Sequence, residues 1–199
     1  MKDLGEASYV LGIEIHRNRS CGILDLSLKD YIERVLKRFN MLACSPNKAP
    51  VVKGDKLVTS QCPQTELEHN QMKNVPYASA VGSLMYAQVC TWPNIAYIIS
   101  VLGRYLSNLG EVHWVAVKKV MRYLQGTKDF MLTYRRSDSL DVVGYTDADF
   151  ARCPDDLKYT SGYVFLMAGG AISWKSVKQT LTASSTMQAE YVACYETIV

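Results

Sequence analysis

The sequence predicts an α+β chain that turns to α/β towards its end: a leading β-hairpin, a mostly helical middle, then an incomplete mixed sheet with one helix. Three observations predict it. Apolar residues recur at helical spacing within 28–39 and again across 77–125. After Gly126 the pattern switches to period-2, β-branched runs, and a last helical stretch follows the Ser184, Ser185, Thr186 cluster. With 199 residues and 48% hydrophobic content the chain has material for a buried core.

Taken in order, residues 8–15 form a strand-like run broken by Gly12, and a polar turn over 17–22 leads into Ile23, Leu24 and Leu26, a hairpin pattern. A chain that begins directly in a strand is expected to continue something upstream. Ser27 and Asp30 make an S-x-x-D variant of a capping box, ahead of Leu28, Tyr31, Ile32, Val35, Leu36 and Phe39 at helical spacing. The other face carries Lys29, Arg34, Lys37 and Arg38, with Glu33 placed to pair with Lys37. That face suits a solvated surface as well as a groove for phosphates. Residues 43–75, with Pro46, Pro50, Gly54 and Pro63, read as a linker or long surface excursion. Three helices follow at 77–88, 94–107 and 111–125, with Pro93 at a helix start. On the last, Trp114, Val117, Met121 and Leu124 make an apolar stripe beside Lys118, Lys119 and Arg122. Those cations fit a nucleic-acid backbone or a solvated face. Strands are expected at 130–134, 140–146, 160–167 and 171–174, the last two joined through Ala168-Gly169-Gly170 as a tight hairpin, and a helix at 186–199.

Charge decides little: 22 Lys+Arg against 19 Asp+Glu give a net +3, which permits a polyanionic partner without requiring one. The six cysteines form no C-x-x-C pair, so neither a zinc site nor a disulfide framework is expected. With no signal-like start and no membrane-length apolar stretch, the expected setting is the cytoplasm, with the nucleus as alternative, and no membrane partner.

The chemistry concentrates in two segments. Gly144-Tyr145-Thr146-Asp147-Ala148-Asp149 ends an apolar strand, and Glu190 lies on the final helix. The spacing places Glu190 with Met187, Tyr191, Cys194 and Ile198 on one face expected to pack inward, where a carboxylate needs a partner or a cation. Asp147 and Glu190 as catalytic carboxylates, with Asp149 as a further ligand, suit a pair of divalent ions ~3.5–4 Å apart that clamp a phosphodiester. The alternative is that Glu190 neutralises Lys175 or Lys178 while Asp147 and Asp149 cap a turn.

Ordered blocks along the whole chain carry a resemblance: Leu4-Gly5 through Ile15, 31–41, the Pro76-Tyr77-Ala78-Ser79 run to Ala87, His113-Trp114, and Arg122 to Thr127. It continues through 144–149, Thr160-Ser161-Gly162-Tyr163, Ile172-Ser173-Trp174-Lys175 and Ala189-Glu190-Tyr191. The chain resembles the reverse transcriptase and ribonuclease H region of the Pol polyprotein of Ty1/copia-type long-terminal-repeat retrotransposons. The resemblance implies the end of the polymerase palm over 1–27, whose hairpin at Gly12 grips a primer strand. It implies a thumb and connection over 28–126, and the first part of a ribonuclease H-like fold over 127–199. It further implies Asp147 and Glu190 as catalytic carboxylates with Mg²⁺ or Mn²⁺, and a template–primer duplex or RNA–DNA hybrid as partner beside the rest of Pol. The Tyr-Val-Asp-Asp polymerase motif is expected upstream of Met1 and later ribonuclease H aspartates downstream of Val199, so this stretch alone is expected to be catalytically incomplete. The alternative is a non-catalytic module that binds RNA–DNA hybrid through Gly12, Lys118, Lys119 and Arg122. Trp92 and Asn94 stand where the family shows Arg and Asp, and Arg152, Leu157 and Tyr159 where it shows Gly, Arg and Ser.

Overall fold

A computed structural model describes residues 5–52, 55–149 and 158–198. The first sheet is four-stranded and antiparallel, in the order β1 (Tyr9–Val10), β2 (Ile13–Asn18), β3 (Ile23–Ser27), β4 (Leu132–Arg135). Pairing of Val10 with Ile13 leaves Leu11 and Gly12 as a two-residue turn, both at positive φ (51° and 81°), the conformation that matches strand twist. Glycine accepts that φ without strain; Leu11 tolerates it with its side chain in solvent and its carbonyl accepting from the Tyr86 hydroxyl.

α1 (Lys29–Arg38) starts one residue later than a capping box at Ser27 requires. Leu28, at the cap position, is 1% exposed, drawn into the core, and the buried Ser27 hydroxyl accepts only from the Lys29 N–H at 3.3 Å. Its inner face, Leu28, Ile32, Val35 and Leu36, is buried as the periodicity indicates. Glu33 pairs not with Lys37 but with Lys128, at 2.8 Å, because α1 packs on α5 (Glu111–Thr127) and brings the end of that helix within reach.

The 43–75 stretch is no simple linker. It holds a 3-10 turn at Thr59–Gln61 and α2 (Glu66–Met72), which the Thr65 hydroxyl caps while the Glu68 carboxylate returns to the Thr65 and Gln64 N–H groups. Leu57 and Cys62 are buried in the main core, and the Tyr105 hydroxyl donates to the Leu57 carbonyl at 2.9 Å. α3 (Tyr77–Cys90), a 3-10 turn at Pro93–Ile95, α4 (Ala96–Gly103) and α5 complete that core through Leu84, Ile99, Leu102, Met121 and Leu124.

The second sheet, β5 (Val143–Asp149), β6 (Thr160–Met167) and β7 (Gly170–Lys178), is antiparallel in chain order, and α6 (Thr186–Ile198) lies across β5 and β6. Ala168 and Gly169, at φ 53° and 79°, make the tight turn between β6 and β7. β4 joins the first sheet rather than these strands, yet touches β7: the Arg135 N–H donates to the Ala168 carbonyl and the Tyr134 hydroxyl to the Ala171 carbonyl. All described cysteines are free thiols. Among the described residues no helix is long and apolar enough to cross a membrane.

Gly110, which opens α5, sits where a Cβ would fall 2.1 Å from the Gln61 carbonyl oxygen, backbone against backbone. Gly110→Ala therefore forces the 3-10 turn away from α5. The expected loss is about 1–3 kcal/mol, read as a lower urea midpoint at unchanged slope; an unchanged midpoint contradicts the close approach.

Candidate nucleic-acid interface and carboxylate site

Strand β5 has two faces, and its register decides where each carboxylate goes. Successive side chains point to opposite sides of a strand. Ala148 is buried against Ala189 and Ala193 of α6, and Thr146 is bonded to Thr197, so the even-numbered residues face the helix. Tyr145 and Asp147 therefore take the other face, with Val164 and Trp174 of the neighbouring strands. There Asp147 is exposed and borders an open cleft of about 570 Å³ between the second sheet and residues 93–97. Glu190 is half-buried on the α6 side, and its Oε2 accepts from the Ala148 N–H at 3.2 Å. The structure thus brings Glu190 to the backbone next to Asp147 and sets the two side chains towards different faces. Asp149 is the last residue of β5; its side chain, like Arg152 and Leu157, lies outside the described residues.

The face of α6 expected to pack inward points outward: Met187, Tyr191 and Ile198 are 81%, 75% and 85% exposed, and Cys194 is exposed. Ala189, Val192 and Ala193 are the buried residues. A helix approaching a sheet at Ala148 needs small side chains where the two meet, and size rather than hydrophobicity selects the inward face here. Ser185 caps the helix, accepting from the Gln188 N–H at 3.2 Å, while the Gln188 side chain accepts from the Ser184 N–H at 2.8 Å. Glu196 accepts from the Ser161 hydroxyl at 2.8 Å, and the buried Gln179 amide donates to Ser161 and to the Ala189 carbonyl. No local pattern in the sequence marks this network; the register pair of Ser161 with Ala148, which places it under α6, is a product of the fold.

The family resemblance implies a divalent ion, and the described donors do not fit one. Among the described residues no three of His, Cys, Asp and Glu come together, and one Glu190 oxygen is committed to a backbone N–H. Hard cations of this kind need several oxygens converging on one point.

The basic residues divide by what they already hold. Lys119 pairs with Asp55 through both carboxylate oxygens at 2.9 Å, and Arg122 donates to the Ser45 carbonyl and hydroxyl at 2.8 and 2.9 Å. These two cations tie the 45–55 stretch to α5. Lys118 is exposed and lies over the Trp114 ring at 5.3 Å. Trp114 in turn meets Phe39, at the end of α1, edge to face. Arg34, Lys37 and Arg38 of α1 are exposed and enter no salt bridge among the described residues. Among these residues, Arg34, Lys37, Arg38 and Lys118 are left open to a phosphate backbone, while Lys29 of α1 pairs with Asp129 at 2.7 Å. Gly12 is at the tip of the first hairpin, against Tyr86. Of the substituted positions, Trp92 is buried edge to face on Tyr123, the Asn94 amide donates to the Tyr123 hydroxyl, and Tyr159 is buried in the small cluster under α6.

The Lys119 ammonium beside Asp55, with the Val52 N–H, holds that carboxyl below its ordinary value of 3.8. A carboxyl depressed on folding contributes stability above its unfolded pKa and loses it as pH falls through the folded value. Stability should drop below about pH 4, and Lys119→Met should flatten that acid limb and remove about 0.2–1 kcal/mol at neutral pH, read by urea titration across pH. An acid limb unchanged in the variant would sink the pairing.

Comparison with known proteins gives the chain its relatives. It is 50% identical to the Retrovirus-related Pol polyprotein from transposon TNT 1-94 of Nicotiana tabacum across 99% of its own length, and spans 15% of that polyprotein. It is 45% identical to the Secreted RxLR effector protein 161 of Plasmopara viticola over 63% of the chain and 88% of that protein. It is 32% identical to the putative transposon Ty5-1 protein of Saccharomyces cerevisiae over 100% of the chain and 63% of that protein. No protein-family model and no solved structure matches. The chain is thus similar, almost end to end, to a stretch of a transposon Pol polyprotein, and its homologues include Ty/copia-type retrotransposon Pol proteins.

Proposed function

We propose that the chain is the part of a retroelement Pol protein that carries the end of a reverse transcriptase palm, its thumb and connection, and the opening of a ribonuclease H unit. By itself it holds an RNA–DNA hybrid and does not cut it. The observation that carries the reading is the 50% identity to a transposon Pol polyprotein over 99% of the chain. In the whole polyprotein the activities are RNA-directed DNA synthesis and hydrolysis of the hybrid's RNA, with Mg²⁺ or Mn²⁺. This stretch supplies duplex grip to them, in the cytoplasm or the nucleus.

The chemistry of holding is electrostatic. Arg34, Lys37 and Arg38 present three charges along one exposed helix side. Lys118, reached through Phe39 and Trp114, extends that side onto α5. Neutralised phosphates release counterions, so affinity falls with salt in proportion to the number of phosphates engaged. Lys119 and Arg122 contribute less, because moving to a phosphate would break their bonds to Asp55 and Ser45.

Fluorescence anisotropy with a labelled RNA–DNA hybrid tests this at several salt concentrations. The expected result is a steep negative salt slope that the Arg34→Gln, Lys37→Gln, Arg38→Gln triple variant makes shallower by roughly 0.7–0.9 for each phosphate it no longer neutralises. Binding that ignores salt, or a triple variant with the parent's slope, removes the reading.

A further inference from the structure

The cleft on the Asp147 side of the second sheet has a chemistry that duplex holding does not use. Its lining includes Tyr97 of α4, Tyr145 of β5, Tyr163 of β6 and Trp174 of β7, of which the strand register sets Tyr145 and Trp174 on the Asp147 side. Trp174 is fixed in place, since its indole N–H donates to the Gln88 carbonyl at 2.9 Å, across the seam between sheet and helices. Tyr145 is 58% exposed, an aromatic face left in water on a strand whose other side is covered. At one border stands the Asp147 carboxylate, an acceptor-only group with no described partner of its own. About 570 Å³ lies within the range of sites that enclose a small planar ligand.

We propose that this cleft takes an unpaired guanine base from a single-stranded nucleic acid. Aromatic faces stack any base, and stacking contributes roughly 1–3 kcal/mol per base. The carboxylate makes the choice. Of the common bases only guanine offers two adjacent N–H donors on its Watson–Crick edge, N1–H and the 2-amino group, to the two oxygens of one carboxylate. Adenine and cytosine offer a single amino group beside an acceptor that would face the carboxylate's charge. A guanidinium would also stack and fork onto Asp147; the base is favoured because the chain reads as a nucleic-acid-binding segment. The base is taken single, because a paired guanine has spent that edge on cytosine. The inference rests on the reading of the chain as a nucleic-acid-binding segment, and it uses a surface separate from the cations of α1.

The experiment is anisotropy of the 199-residue chain with fluorescent oligothymidylates carrying one central guanine, adenine or cytosine, in EDTA. The expected result is at least about tenfold tighter binding of the guanine oligomer. Asp147→Asn, at an exposed position, should erase the preference, and Tyr145→Ala should weaken all the oligomers together. The α1 triple variant should lower overall affinity and keep the preference. Equal binding of the oligomers overturns the proposal, as does a preference that survives Asp147→Asn or appears only with added Mg²⁺. Hybrid binding measured alongside separates the two readings: hybrid bound with no guanine preference overturns the cleft proposal and leaves duplex holding intact.

Discussion

The whole molecule depends on one unequal division of apolar burial. The helical core gathers Leu, Ile, Val, Met and Tyr from α1, α3, α4 and α5. The cluster under α6 consists of four alanines and Tyr159. Burial contributes about 0.8 kcal/mol per CH₂ and 1.5–3 kcal/mol for a large aliphatic side chain, so methyl groups alone cannot order a three-stranded sheet. The second sheet therefore relies on bonds to its neighbours: Trp174 to Gln88, Tyr134 to Ala171, Arg104 to Thr160. The cleft beside Asp147 exists because the sheet is anchored at these points and stands off between them.

The same logic separates structural cations from available ones. Lys119 and Arg122 have the spacing of a phosphate-binding stripe, and the fold spends them on tethering a long excursion that carries Leu57 and Cys62 into the core. Arg34, Lys37 and Arg38 of α1, whose pattern is equally ambiguous, stay at the surface. Charge spacing along a helix shows which residues share a side; it does not show what packs there.

Legibility in the sequence divides along the same line between local and distant effects. The inner face of α1, the helices at 77–127 and the two-residue turns are readable because period and turn chemistry are local. The Thr65 to Glu68 capping box is equally local, but it is masked by the prolines and polar residues around it, which suggest a linker. α6 defeats its own periodicity because its large apolar residues face solvent and its alanines face the sheet, a choice set by how near the helix must come. The allegiance of β4 to the first sheet has no signal in the sequence, because pairing between distant segments leaves no periodic mark. The two faces of β5 are written in the alternation of Tyr145, Thr146, Asp147 and Ala148, but which neighbour lies on each is decided by the fold.

That distant pairing has a consequence for how the chain reaches its native state. Ile23 lies opposite Arg135 and Leu26 opposite Leu132, so the ladder between β3 and β4 joins segments on either side of the entire helical core. Closing so long a loop has a large entropic cost, and it is offset only when the intervening helices have already drawn its ends together. On a ribosome the hairpins of β1 to β3 emerge before the helices that follow and wait, with the edge of β3 open, until α5 has docked. Within this stretch the first sheet is thus begun before the helices and is among the last parts to be finished.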